Sequence, residues 1–305
     1  MSDDPLADVL RLTEARSLVA GGFATGGRWA LRFPVLGQLV FSAIVKGGCW
    51  LRLDRQREPV RLEEGDIGLL PGRDGFVLCS DLRAKPVDVE LGDAWGEITQ
   101  LGDGTGCGWL AGRVTLDPGT GELLTRSLPA LVHLRASSPG AASLRWIVNE
   151  LVEEHSSTRP GAIIAAAQLA QLFFVKILRE HLASAELTTP GLLRAMGDER
   201  LARAMRLMHD TPARDFRLDE LAQCAGMSRT RFALHFKALA GVSPLTYLTQ
   251  WRMRLAQRAL RDSNVPIANL AASLGYASDS AFSSAFKRVT GVAPRDYRTA
   301  RQPAR

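Results

Sequence analysis

The stretch FALHFKALAGVSPLTY at residues 232–247 returns as FSSAFKRVTGVAPRDY at residues 282–297, a constant offset of 50 residues. In register stand Phe232/Phe282, Phe236/Phe286, Lys237/Lys287, Gly241/Gly291, Val242/Val292, Pro244/Pro294 and Tyr247/Tyr297. Ala222/Ala272 and Ser228/Ser278 keep the same offset upstream. Seven identities in a window of 16 residues mark one supersecondary unit used twice.

Each copy opens with a short amphipathic helix, LDELAQCAG at 218–226 and PIANLAASLG at 266–275. Asp219 is expected to cap the first, and Pro266 suits the first turn of the second. Gly226 and Gly275 stand where a tight turn needs a backbone without a Cβ. A second helix follows, capped by Ser228 or Ser278. Its two phenylalanines at i, i+4 share one buried face. The opposite face then carries Arg229, Thr230, Ala233, Leu234 and Lys237 in the first copy, and Asp279, Ser280, Ser283, Ser284 and Lys287 in the second. Helix, glycine turn and a helix with a polar outer face is the helix-turn-helix plan, whose second helix enters the major groove. A connecting helix from Pro244 to Asp262 would hold the two copies a fixed distance apart, and successive major grooves on one face of DNA lie about 34 Å apart. Charge points the same way. Residues 191–305 hold 19 Arg plus Lys against 9 Asp plus Glu, whereas residues 1–190 hold 19 against 23. The basic excess lies with the repeats, as neutralisation of phosphates requires.

Residues 198–300 closely resemble the DNA-binding domain of AraC/XylS-type bacterial transcription regulators, and GYASDSAFSSAFKRVTGVAPRDYR at 275–298 is similar to that family's signature segment throughout. The resemblance implies a seven-helix domain whose two outer faces read adjacent major-groove segments of double-stranded operator DNA. It also implies a homodimer, RNA polymerase as a partner, and activation as the default output. One departure stands out: members often carry Arg where this chain has Ser284. Asp279 and Ser280 are expected to touch base edges, since a carboxylate accepts from a cytosine amino group; the alternative for Asp279 is a first-turn acid favoured by the helix dipole. Arg229, Lys237, Lys287 and Arg288 are expected on phosphates. Arg231 reaches either DNA or an acidic neighbour, and His235 flanks its helix. Arg252, Arg254, Arg258 and Arg261 on the connecting helix form either a solvated face or a phosphate rail.

The first half of the chain is built differently. Short β-rich runs (Gly37 to Val45, Cys49 to Leu53, Ile67 to Leu70, Phe76 to Cys79, Val87 to Leu91) alternate with Gly, Pro and Asp, the pattern of an antiparallel barrel or jelly roll. GGCWLRLDRQREPVRLEEGDIGLLPGRDGFVLCSD at 47–81 resembles the cupin-type sensor domain found at the N-terminus of many such regulators. Where metal-binding cupins tend to place a His after the GD…P turn, this chain has Gly75–Phe76, and all five histidines lie outside residues 1–132. A catalytic first-row metal is poorly served without imidazoles, so no metal, catalytic residue or cofactor is assigned. The barrel interior is instead expected to hold a small organic effector, with Trp29, Trp50 and Trp95 as walls and Trp109 a further candidate. Cys49, Cys79, Cys107 and Cys224 show no metal spacing. A thiol switch is an alternative to the effector reading, a DNA-tethered cupin enzyme another.

AASLRWIVNELVEEH and GAIIAAAQLAQLFFVKILREHL, within 140–183, read as helices that pack on the barrel or pair with a second subunit. The resulting class is α+β: a cupin-like antiparallel barrel with a dimerisation segment over 1–183, a linker with a short helix over 184–197, and an all-α double helix-turn-helix domain over 198–305. An acidic start without a signal-peptide pattern, and no run of 18 apolar residues, argue for a cytoplasmic protein with no membrane partner.

Overall fold

The structure, a computed structural model, describes residues 4–89, 98–184 and 190–299. Its residues gather into two compact units that are discontinuous in sequence. One contains residues 15–116 and 128–186; the other contains residues 1–14, 117–127 and 187–305.

The first unit is a curled mixed sheet organised around one long strand, β3 (Leu39–Leu53). Its first half pairs antiparallel with β9 (Cys107–Thr115) and β5 (Ile67–Leu70), and its second half with β4 (Val60–Glu63) and β6 (Phe76–Cys79). The sequence pattern suggested two strands here, broken at Gly47 and Gly48. The glycines bend one strand instead. Gly47 has φ +66°, and a Cβ on it would stand 2.1 Å from the Gly106 carbonyl oxygen. The sheet continues through antiparallel pairs, β9 with β1 (Arg16–Thr25), β6 with β2 (Ala30–Phe33), and β5 with β10 (Val132–Leu134). Two further pairs are parallel, β2 with β7 (Val87–Asp88) and β1 with β8 (Ile98–Leu101). The expected antiparallel ladders are therefore present, with parallel pairing added at the edges.

Alternation along these strands turns Leu31, Phe33, Ile44, Leu51, Phe76 and Trp109 inward, where they form one apolar cluster. Phe33 stacks on Phe76 at 4.6 Å between centroids. These inward side chains pack on one another. On the sheet's other side lies α4 (Ala162–Ala183), whose Phe173 meets Phe41 edge-on at 5.4 Å. Gly112 makes room for that contact, because a Cβ there would fall 1.8 Å from the Phe41 ring. α3 (Ala141–His155) packs on α4, and both ranges follow the apolar periodicity of the sequence closely.

The second unit is helical. α6 (Glu199–Asp210), α7 (Leu218–Cys224), α8 (Arg229–Ala240), α9 (Pro244–Asp262), α10 (Ile267–Ser273), α11 (Asp279–Thr290) and α12 (Pro294–Thr299) are the seven helices that the resemblance implied. Phe232, Phe236, Phe282 and Phe286 are fully buried. The repeated tyrosines close each copy in the same way: Tyr247 packs on Phe236 at 5.7 Å and Tyr297 on Phe286 at 5.4 Å. α9 supplies Met253, Ala256 and Leu260 to the second core. Asp219 lies in the first turn of α7, not at its cap; the Glu220 carboxylate accepts from the Arg217 N–H there at 3.4 Å. Residues 192–197, assigned to the linker, form α5 (Leu192–Gly197), whose Leu193 and Ala195 are buried against the neighbouring helices. Too few apolar residues in a row hid that role from the sequence.

Gly226 (φ +65°) and Gly275 (φ +79°) make the two turns, as expected. They are not equivalent. A Cβ on Gly275 would stand 2.0 Å from the Ala213 carbonyl oxygen, whereas at Gly226 only an Arg203 nitrogen lies within 4 Å. Gly226→Ala therefore carries backbone strain alone, about 1 kcal/mol. Gly275→Ala must also displace backbone and is expected to cost roughly 2 kcal/mol or more. Thermal denaturation of the two variants checks the order; equal losses would contradict it.

Candidate nucleic-acid interface

Burying the phenylalanines fixes which side of α8 and α11 meets solvent. Arg229, Thr230, Arg231, Leu234 and Lys237 are exposed on α8, with Ala233 half-buried. On α11, Asp279, Ser280, Ser284, Lys287 and Arg288 are exposed and Ser283 is half-buried. The structure thus presents all twelve sequence-assigned residues at the surfaces of the two second helices. Ser278 caps α11, its hydroxyl accepting from the Ala281 N–H at 3.2 Å, so that Asp279 stands in the first turn. Leu234 is 67% exposed, an apolar side chain on a polar face, suited to contact with a thymine methyl. It lines a groove of about 560 Å³ with Thr230, Arg231 and Ala238.

Neighbouring polar groups hold this surface in place. His235 Nε2 lies 2.7 Å from Asp198, whose other oxygen accepts from the N–H groups of Arg200 and Leu201 at the start of α6. His235 is therefore tied to a helix cap, in keeping with its expected flanking place. Arg229 approaches Asp219 at 3.7 Å, both well exposed, a contact that solvent screens and that phosphate can replace.

The four arginines of α9 are neither a solvated face nor a phosphate rail. Arg252 donates to the carbonyls of Pro212 (2.5 Å) and Arg214 (2.9 Å). Arg254 donates to the Gly119 carbonyl at 2.7 Å, and Arg258 to the Arg11 carbonyl at 3.4 Å. Arg261 forks between Asp117 and Glu14, the latter at 2.7 Å. Arg252 thus binds the loop before α7, while the partners of Arg254, Arg258 and Arg261 belong to two short segments. One is α1 (Pro5–Leu12) with the turn after it, and the other runs through α2 (Glu122–Thr125). Thr120 and Asp117 join the segments to each other, the Thr120 hydroxyl lying 2.9 Å from the Leu12 carbonyl and the Asp117 N–H donating to the Thr13 carbonyl at 2.8 Å. Sequence reading missed this clasp, because nothing in the spacing of Asp117 or Glu14 points to an arginine over a hundred residues away.

A histidine completes it. His209 stacks on Trp251 at 3.7 Å, with Nε2 2.6 Å from the Tyr247 hydroxyl and Nδ1 3.3 Å from Asp8. With Asp8 accepting from Nδ1–H, Nε2 is left to accept from Tyr247, the neutral tautomer. Burial holds this imidazole below its ordinary value, and the Asp8 carboxylate offsets only part of that. The unfolded chain then binds the extra proton, so the stability from the buried neutral ring is complete above about pH 6.5 and is lost as pH falls. The melting temperature of the helical unit is expected to drop between pH 7.5 and about 5.5, with a shallower slope in His209→Gln. An identical slope in that variant would contradict the assignment.

In the other unit, Trp29 lines a cleft of about 620 Å³ with Arg28, Arg83 and Lys85. Trp50 packs instead in a separate cluster with Ala30, Val77 and Cys79, under the Arg61 guanidinium at 5.5 Å. Trp109 belongs to the inward-packed cluster, and Trp95 lies outside the described residues. Trp29 and Trp50 are therefore not walls of one pocket. Cys49, Cys79 and Cys107 are buried and Cys224 is half-buried. Among the described residues, no three His, Cys, Asp or Glu side chains are grouped so as to hold a metal ion.

Known proteins agree with this architecture. Residues 4–183 match the family model described as Cupin, and residues 221–300 match one described as a helix-turn-helix domain. An AraC-like transcription regulator of Streptomyces antibioticus is 39% identical over 297 residues, covering 97% of this chain and 98% of that protein. The HTH-type transcriptional regulator AlkR of Acinetobacter baylyi is 29% identical over 283 residues, 90% of this chain and 92% of its own. Among solved structures, the DNA-binding domain of AdpA in complex with a target DNA is 32% identical, covering 32% of this chain and 89% of that one with a TM-score of 0.32. The fold and exposed helices define a DNA-binding transcription regulator. The chain belongs to the AraC-like family of these, with a cupin domain ahead of its helix-turn-helix domain.

Proposed function

We propose that this regulator reads an asymmetric DNA site with two unlike helices and answers to a small molecule held by its cupin unit. The observation that carries the reading is the contrast between the copies. Their scaffold residues coincide, while their outer faces differ: Arg229, Thr230 and Leu234 against Asp279, Ser280 and Ser284. In this assignment Asp279 and Ser280 touch base edges, whereas Lys237, Lys287 and Arg288 hold phosphates. In the first copy Thr230 and Leu234 face base edges, Arg229 holds a phosphate, and Arg231 reaches DNA beside them. The effector is assigned to the cleft beside Trp29, which opens next to the inward-packed core; its basic rim of Arg28, Arg83 and Lys85 favours an anionic organic molecule.

Homodimerisation is assigned to the helical hairpin of the cupin unit. Ile163 and Ile164 on α4 are 87% and 69% exposed, and Trp146 on α3 is 56% exposed, apolar surface that a second copy would cover. Activation through RNA polymerase in the cytoplasm, without enzymatic turnover, completes the proposal. Footprinting on the DNA flanking the protein's own gene, repeated with candidate anionic metabolites, tests it. Protection of a discrete site that shifts with one metabolite supports the reading; binding no tighter than to random DNA rejects it.

A further inference from the structure

The helical unit holds a cavity of about 950 Å³ whose walls come from both repeats. The first copy supplies Val242 and Leu245 from the turn into α9, and the second supplies Arg288 and Val289 from the end of α11. Arg254 of α9 lines it too, together with Glu122, Leu123 and Arg126 from α2 and its end. Two contacts fix these walls. Arg254 donates to the Gly119 carbonyl at 2.7 Å, just ahead of α2. The Gly191 N–H donates to the Leu239 carbonyl at 2.8 Å, which ties the chain before α5 to the end of α8. The space is therefore a product of the clasp as well as of the repeats.

Its lining is part aliphatic and part cationic. Leu123, Val242 and Val289 are half-buried and Leu245 is 45% exposed, an apolar wall partly open to solvent. Arg126, Arg254 and Arg288 stand against one acid, Glu122, a formal charge of +2 among the lining residues. Glu122 is already engaged, its carboxylate accepting from the exposed Arg126. Arg254 is half-buried, and among the described residues no acceptor meets its buried Nε. Burial holds this guanidinium below its ordinary value; the Glu122 carboxylate opposes that, and repulsion from Arg126 adds to it. A desolvated guanidinium with an unmet N–H is stabilised by any oxyanion that reaches it. Guanidinium forks match the oxygens of carboxylates and phosphates, and a group with three oxygens and two charges suits several forks at a net +2.

We propose that this cavity is a second ligand site, which takes a phosphomonoester with a small apolar body and weakens DNA binding when occupied. The phosphoryl group sits among Arg126, Arg254 and Arg288, and the apolar body lies on Leu123, Leu245 and Val289. The site shares no residue with the cleft beside Trp29. Coupling to DNA runs through Arg288, which the reading above gives to a DNA phosphate; one guanidinium cannot serve both anions in full. That half of the inference rests on the DNA-binding reading, and the ligand half does not. By linkage, DNA should weaken the ligand by the same factor.

Phenyl phosphate is the probe, titrated by calorimetry into the full-length chain, with inorganic phosphate and benzoate in parallel arms. Phenyl phosphate is expected to bind at least about tenfold more tightly than inorganic phosphate, since its ring buries apolar area. It should also exceed benzoate, which carries a single charge; equal binding of benzoate overturns the phosphoryl assignment. Arg126→Gln, at an exposed position outside the clasp and the DNA assignment, should weaken phenyl phosphate by about fivefold or more with melting temperature and DNA affinity unchanged. Arg83→Gln, in the cleft beside Trp29, should leave it unchanged. No binding of phenyl phosphate, or loss in Arg83→Gln with Arg126→Gln unaffected, overturns the site. Weaker DNA binding by ligand-free Arg126→Gln overturns it too, because these cations would then belong to the DNA surface. On the DNA flanking the protein's own gene, saturating phenyl phosphate should lower affinity by about threefold or more against sodium chloride of equal ionic strength. Unchanged affinity in a protein that binds well without ligand overturns the coupling. Failure of the ligand-free protein to bind counts against the DNA-binding reading instead.

Discussion

Replacing Lys237, Lys287 and Arg288 together by alanine is expected to weaken DNA binding by a factor on the order of 10²–10³ at fixed salt while leaving the fold intact. All three side chains are exposed, so their removal opens no cavity and strands no buried group. They stand on the last turns of α8 and α11, two on the second helix and one on the first. Phosphate contacts position a protein without reading sequence, so the loss should be similar on every DNA tried. The dependence of log affinity on log salt should flatten by about 2–3, since each contact contributes a slope of roughly 0.9. Titrations across a range of salt concentrations check both statements. A loss confined to one sequence, or an unchanged salt slope, would move these cations off the backbone and onto bases.

The second large effect is on stability. Arg261→Ala is expected to cost about 3 kcal/mol or more, because it removes the partner of a carboxylate that is buried. The Asp117 side chain is only 3% exposed and Arg261 19% exposed, so water cannot substitute freely for the guanidinium. Asp117 would keep its hydrogen bonds from the N–H groups of Gly119 (3.1 Å) and Thr120 (2.7 Å), which limits the damage. Glu14, more exposed, would lose a partner it can replace with solvent. Arg261→Lys should recover part of the loss, since an ammonium reaches one of the two carboxylates but cannot span both. Thermal melts of the two variants give the comparison. If alanine melts as the parent does, the clasp holds nothing together.

The helical unit was largely legible because its signals are local. Paired phenylalanines at i, i+4, glycines at the turns and a proline at the first turn of α9 each act within a few residues, and α9 runs over the range expected of it. The repeat also separated much of the scaffold from the surface: the shared phenylalanines, prolines and tyrosines are buried, while the shared lysines and most of the outer-face residues that differ are exposed. Asp219 was misplaced by two positions because the cap of α7 uses Glu220 and a backbone N–H in place of a side-chain oxygen at the cap itself. In the cupin unit, β5 and β6 followed the apolar runs, but β3 came out as one strand because glycine can bend a strand as readily as end it. The pairing of Gly47 with Cys107 follows a register shift in β3 between Ile44 and Lys46, which no local pattern announces. Likewise the arginines of α9 read as a solvated face or a phosphate rail, since their partners, Asp117, Glu14 and four carbonyl oxygens, come from sequence that no local pattern links to them.

The central claim is that α8 and α11 read different bases from one shared scaffold. It is tested most directly by selecting preferred sites from random DNA with the parent and with two double variants, Thr230→Ala/Leu234→Ala and Asp279→Ala/Ser280→Ala. The expected result is relaxed preference in one part of the site for the first variant and in the other part for the second, about one helical turn away. Uniform loss of affinity in both, with the selected sequence unchanged, would contradict the claim.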